Sequence, residues 1–220
     1  MPINEYRALL GGMRLFELQL ELECVRVELG NTLVPYPCPN PDSPPRFLVV
    51  RHDDTEALYF RHDLLGHVRE QLAGLPLARA AEDEGTVRAI LAQQAPCDEV
   101  GRFKAYVFPE LITPGSYLGA ICLPEANAIG SPVFGIIADG RMVSACSSSR
   151  ENDRSAEAWA WTEPEYRGHG YAGQATMAWA HDLQQRGKVP FYSHKWDNLA
   201  SQAVARKLGL RRFLTTVGYR

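Results

Sequence analysis

The sequence predicts an α/β (α+β) chain built around a mixed sheet, and three features carry that prediction. Between residues 102 and 147 the segments RFKAYVF, PVFGIIA and RMVSACS read as strands, the last two joined by Asp139-Gly140, a two-residue hairpin signal. Residues 157–174, EAWAWTEPEYRGHGYAGQ, then place a Gly-rich turn between an apolar strand and a long helix. Beyond the turn about 50 residues remain, enough for one helix-strand-helix-strand passage and too few for a doubly wound sheet.

From the N-terminus, MPINEYRALL lacks a signal-peptide pattern and no run of about 18 apolar residues occurs, which predicts a soluble cytoplasmic protein without a membrane span. An apolar stretch of ambiguous period leads to residues 35–45, PYPCPNPDSPP, where repeated prolines preclude helix and sheet pairing. FLVVR and ALYFR flank His52-Asp53-Asp54-Thr55-Glu56 and read as a hairpin. Asp63 is expected to cap a helix through about Ala73, and Asp83 or Glu84 to start another through Gln93. Residues 1–95 are thus expected to form a small αβ module that shapes an acceptor cleft or a homodimer interface, with residues 96–220 as the second domain. In that domain a strand at Ala158–Thr162 precedes the turn. A helix through about Gln185, a strand at Val189–Ser193, a second helix and a terminal strand near Phe213–Gly218 follow it.

The Gly-rich turn carries the chemistry. A strand-turn-helix unit of this kind aims backbone N–H groups and a helix dipole at an anion, typically a phosphate. Gly168, Gly170 and Gly173 spell G-x-G-x-x-G, the form of a dinucleotide fingerprint. Residues 163–167 separate them from the strand, however, and the next strand runs into His194 and Lys195 where a ribose-binding carboxylate would be needed. The turn therefore reads as a site for a phosphorylated cofactor of another class.

Arg167-Gly168-His169-Gly170-Tyr171-Ala172 resembles the R-x-x-G-x-A/G pyrophosphate loop of the GCN5-related N-acetyltransferases (GNAT), and Thr162–Tyr166 resembles the strand exit before it. Asn198-Leu199-Ala200-Ser201 and Arg206–Leu210 resemble that family's second signature, N-x-x-A/S followed by K-x-G-F/L. The resemblance implies a mostly antiparallel mixed sheet with helices on both faces. It implies acetyl-CoA or coenzyme A as cofactor, with the pyrophosphate on Arg167, Gly168, His169, Gly170, Tyr171 and Ala172. Pantetheine would run along the Ala158–Thr162 edge, at Trp161 and Thr162, if Val189–Ser193 splays away and leaves that edge unpaired. Asn198 and Ser201 complete the implied cofactor set. The implied reaction is direct acetyl transfer to a primary amine of a small molecule or peptide.

An amine is protonated at neutral pH and must lose a proton before attacking a thioester, so a general base is required. Glu157 opens the strand that meets the turn, and alternation places it on one face with Trp159 and Trp161, which makes it the candidate. Glu163, nearer the turn, reads as structural. Many of the resembling proteins carry a Tyr acid one position before the basic pair. Here Ala205 stands there and cannot donate a proton. Ser201, one helical turn earlier, is the candidate acid, with Tyr192 and Tyr219 as further hydroxyls near the expected cleft. Ala205 also supports a second reading, a non-catalytic CoA-binding sensor.

Other features narrow the field. A formal net charge of -3 leaves no nucleic-acid footprint. From Arg186 onward Lys188, Lys195, Arg206, Lys207, Arg211, Arg212 and Arg220 face only Asp197, either as a solvated helix face or as a basic rim for cofactor phosphates. Cys24, Cys38, Cys97, Cys122 and Cys146 show no C-x-x-C pair and read as reduced and partly buried, while His52, His62 and His67 lack the spacing of a metal site. Ser147-Ser148-Ser149 reads as a strand end running into a loop, and Trp159, Trp161 and Trp179 as core between sheet and helix.

Overall fold

The computed structural model describes residues 13–36, 44–52, 55–109, 111–113, 115, 117 and 119–220. Most of the proline-rich segment and the first twelve residues lie outside this set. In the N-terminal half the elements are α1 (Met13–Leu22), β1 (Val25–Glu28), β2 (Thr32–Pro35), β3 (Phe47–His52), β4 (Thr55–Arg61), α2 (Gly66–Ala73), α3 (Leu77–Glu82) and α4 (Glu84–Leu91). Then come β5 (Val100–Val107), β6 (Ala120–Ala126), β7 (Pro132–Ala138), β8 (Arg141–Glu151), β9 (Ser155–Thr162) and a 3₁₀ turn at Pro164–Tyr166. The chain closes with α5 (Tyr171–Gln185), β10 (Val189–Lys195), α6 (Leu199–Lys207) and β11 (Arg211–Tyr219).

The expected hairpins form. β3 pairs antiparallel with β4 from Phe47↔Phe60 to His52↔Thr55. β7 and β8 are closed by Asp139 and Gly140 at φ 51° and 73°, the two left-handed residues of a type I′ turn. Helix limits differ in the first half. Asp63 does not cap α2, whose N-cap is Leu65 without a side-chain bond. Its carboxylate binds Arg61 instead. Asp83 does cap α4, accepting from the Thr86 amide, but the helix stops at Leu91 and the additional α3 precedes it.

Among the described residues eleven strands form one mixed, mostly antiparallel sheet in the order β1-β2-β4-β3-β11-β5-β10-β9-β8-β7-β6. β5 lies between β10 and β11 and runs antiparallel to both, so the terminal β11 has its other edge free for β3. The N-terminal strands therefore continue the sheet edge to edge. Phe47 and Val49 face one side and Leu48 and Val50 the other, so the first four residues of β3 are apolar and buried on both faces. One face packs α1 through Leu15, Phe16 and Leu18. The other carries α2, α4 and, farther along, α5.

α5 settles on the sheet through Ala175, Ala178, Trp179 and Leu183, meeting Val143 and Ala156. Small residues at this spacing let the helix approach closely, and Trp179 fills the remaining space, fully buried. Its indole Nε1 donates to Ser148 Oγ at 3.1 Å. Trp159 and Trp161 are not core. They share the parity of Glu157, opposite the alanines that face α5, and Trp159 is 55% exposed. Ser147–Ser149 is not a strand end either, since β8 runs on to Glu151. Trp179→Ala should lower the unfolding free energy by about 3–5 kcal/mol in urea denaturation, and a loss below about 1 kcal/mol would contradict this packing.

Candidate functional site

The turn between β9 and α5 has the backbone that phosphate binding needs. Gly168 and Gly170 hold φ 85° and 80°, a region side chains rarely adopt, and a Cβ built on either meets nothing within 4 Å. Gly170 is the N-cap of α5 and no side chain caps the helix, so its first-turn N–H groups face outward. His169 Nδ1 lies 3.2 Å and 3.1 Å from the Tyr166 and Arg167 carbonyls, and its ring stacks on Tyr171, so this side chain supports the turn itself. Arg167 Nε donates back to the Thr162 carbonyl at 3.3 Å. The turn therefore offers exposed backbone amides, open space and a helix N-terminus, a fit to a pyrophosphate.

β9 and β10 then part. They run parallel through only three residue pairs, Val189↔Ser155, Pro190↔Ala156 and Phe191↔Glu157. From Tyr192 onward β10 pairs with β5 alone, whereas Ala158–Thr162 pairs with β8 alone. The β9 edge facing β10 is thus unpaired among the described residues over the span where Trp161 and Thr162 stand. The Thr162 hydroxyl is engaged with Ser144 Oγ at 2.8 Å.

Glu157 sits at the last paired position, where the strands begin to separate. A bulge in β8 sets its environment: Ser148 opposes Ala158 and Arg150, not Ser149, opposes Glu157. Arg150 donates to Glu157 Oε2 at 3.0 Å. Gln19 Nε2 donates to Glu157 Oε1 at 3.2 Å, and Ser193 Oγ donates to the same oxygen. Glu157 is only 4% exposed, so it is no solvated strand opener. A cavity of about 190 Å³ lies beside it under α1, lined among others by Phe16, Gln19, Glu23, Leu48, Glu157 and Ser193. Glu23, Gln19 and Arg150 carry no sequence signal for this role, because Gln19 meets Glu157 across 138 positions.

On the opposite face Tyr192 is buried, with Ser201 near its hydroxyl. Burial raises the Tyr192 phenol above its usual range, opposed by the neighbouring Ser201. Tyr106 and Tyr192 flank His194, the former stacked at 5.3 Å. Asn198 caps α6, its Oδ1 accepting from the Ser201 amide at 3.0 Å. Ala205 faces inward at 1% exposure. Tyr219 is remote from the split, buried against α3 with its hydroxyl on the Ala80 carbonyl.

The basic residues do not gather into one rim. Lys188 and Arg186 pair with Glu151 at 2.8 Å and 2.6 Å, at the end of β9 away from the turn, because β10 runs parallel to β9 and starts there. Arg220 lines the cavity instead. The cysteine expectation is also corrected: Cys24 is disulfide-bonded. Cys146 is a buried free thiol pushed up to about 12 by burial, too high for a reactive thiolate. Among the described residues no group of three or more His, Cys, Asp or Glu could hold a metal ion, and no helix is long and apolar enough to cross a membrane.

Burial of the Glu23 carboxyl, reinforced by the nearby Glu157 carboxylate, raises it to about 7 against the pull of Arg150, Arg220 and Gln19. Unfolding returns it to its ordinary value of 4.5, so between these values the native state holds the extra proton. Stability should therefore fall as pH rises through this window, with Glu23, Glu157, Glu99, Arg150 and Arg220 as the charged groups in the cavity. Glu23→Gln should flatten that part of the profile in urea unfolding at a series of pH values. An unchanged slope would contradict the assignment.

Residues 126–219 match the family model described as GNAT acetyltransferase. Solved structures similar to this chain include a GNAT-family acetyltransferase from Colwellia psychrerythraea, at 12% identity over 89% of this chain and 79% of that one, TM-score 0.48. Another is a GCN5-related N-acetyltransferase from Kribbella flavida, at 14% identity over 81% and 88%, TM-score 0.43. A third is a GNAT-family protein from Novosphingobium aromaticivorans, at 20% identity over 56% and 67%, TM-score 0.45. No curated protein matches. The matched segment contains the glycine turn, the split and both signatures, and over those residues the chain is similar to the GNAT acetyltransferases.

Proposed function

We propose that this acetyltransferase binds acetyl-CoA in the split between β9 and β10 and moves its acetyl group directly to a primary amine, with no covalent enzyme intermediate. The observation that carries the reading is the position of the split. It opens one residue beyond Glu157, between an uncapped helix N-terminus and a carboxylate-lined cavity. Acetyl-CoA supplies a thioester carbonyl, activated for attack by nitrogen.

The chain's residues then divide the work. Backbone N–H groups of Gly168–Ala172 hold the pyrophosphate, with Arg167 and His169 bracing the turn. The free edge of Ala158–Thr162 aligns the pantetheine amides beside Trp161 and Thr162. Asn198 contributes by capping α6 and so fixing Ser201. Glu157, held by Gln19, Arg150 and Ser193, orients the acceptor, and the Glu157–Glu23 pair takes the ammonium proton. As the C–N bond forms and the C–S bond breaks, the nitrogen gives up its second proton to solvent and the departing sulfur gains one. With Ala205 unable to donate it, the proton comes from the Tyr192 hydroxyl near Ser201, and solvent reprotonates that tyrosine. Residues 1–95 act as the acceptor-side module, since α1 roofs the cavity. A non-catalytic CoA sensor remains the second reading, favoured by Ala205, and turnover separates the two.

Gly170→Glu places a carboxylate at the pyrophosphate position and should abolish acetyl-CoA binding in calorimetric titration. Normal binding would show that the turn is misassigned. Glu157→Gln should spare that binding yet slow CoA release, most at low pH where the acceptor is protonated, and an unchanged pH–rate profile would remove Glu157 from proton transfer.

A further inference from the structure

The cavity beside Glu157 is chemically uneven, and its unevenness selects an acceptor. At one end the carboxylates of Glu23 and Glu157 converge on Gln19. Gln19 is 3% exposed, and its orientation is set because Nε2 donates to Glu157. Its Oε1 has no hydrogen-bond partner, although a buried carbonyl oxygen left unpaired costs about 1–3 kcal/mol. A buried acceptor left without a donor, on a side chain at the carboxylate end of the cavity, is a place for an N–H donor. Phe16, Leu20, Leu48, Phe103 and Leu214 supply an apolar wall, and the Ser193 and Thr216 hydroxyls also line the cavity.

Charge and size narrow the class further. Three carboxylates, Glu23, Glu99 and Glu157, stand against two guanidinium groups, Arg150 and Arg220, so the lining carries one negative charge in excess when all are ionised. One ammonium balances it, whereas an acceptor that also bore a carboxylate would restore the excess. A volume of about 190 Å³ lies below the range of about 300–1,000 Å³ typical of drug-sized ligands. A wider groove of about 740 Å³ shares Glu23 and Arg150 with the cavity.

We infer that the acceptor is a small primary monoamine with an apolar body and no carboxylate, its ammonium between Gln19, Glu23 and Glu157 and its carbon skeleton against Phe16, Leu20 and Leu48. The inference rests on the acetyltransferase reading above and adds the substrate class. The raised Glu23 fits it, because that carboxylate ionises near neutral pH and can receive the ammonium proton.

Matched pairs test it: 2-phenylethylamine against phenylalanine, and isopentylamine against leucine, each with acetyl-CoA in a CoA-release assay of the whole chain. The amine should exceed its amino acid by at least about tenfold in kcat/KM, and Gln19→Met should raise amine KM more than it lowers kcat. Equal or better turnover of the amino acids would overturn the inference. Calorimetric titration of 2-phenylethylammonium separates this failure from that of the underlying reading. Acetyl-CoA binding without saturable amine binding sinks the substrate class alone. Saturable amine binding that weakens in Glu23→Gln, in a chain that does not bind acetyl-CoA, keeps the cavity and sinks the transfer.

Discussion

β10 follows β9 for three residue pairs and then leaves it for β5. The candidate site depends on that departure. A parallel pair that stayed in register would satisfy every backbone group along Ala158–Thr162 and leave no edge for a ligand. The departure is held from the far side, since β10 is locked to β5 from Phe191↔Val107 through Lys195↔Phe103, and β5 is locked to β11 in turn. β5 thus holds the site open from its other side. The α5 core acts on the other lip: Trp179 and its alanine neighbours hold β8 and β9 together beneath the glycine turn.

The second constraint is the β8 bulge. By skipping Ser149, it turns Arg150 toward Glu157 and lets a carboxylate be buried at the point where the strands part. Burial of one charge near another has a cost, and Glu23 bears it by rising to about 7. Glu151, at the end of the same strand, has the opposite fate. Burial alone would raise it, but hydrogen bonds from Lys188, Ser148, Ser131 and Arg186 outweigh that and bring it to about 2. The two acids therefore differ because Glu151 is surrounded by donors and Glu23 faces a cavity.

Much of the C-terminal half was legible because its signals are local. The Asp139-Gly140 turn, the glycines before α5 and the capping Asn198 each act within a few residues of themselves. Features that depend on long-range pairing were not legible. Nothing in RFKAYVF says that it will sit between β10 and β11, and nothing in Gln19 or Glu23 says that they will meet Glu157. Trp159 was misread as core because alternation fixes which residues share a face but not which face a helix covers. Asp63 was misread as a cap because Arg61, two residues away, offers its carboxylate a charged partner.

Backbone hydrogen exchange measured with and without acetyl-CoA tests the central claim most directly, because it reads the amides themselves. Protection concentrated in residues 158–162 and 168–173 is the predicted result. Binding that protects neither segment would contradict the assignment of the split, and no binding at all would contradict the account as a whole.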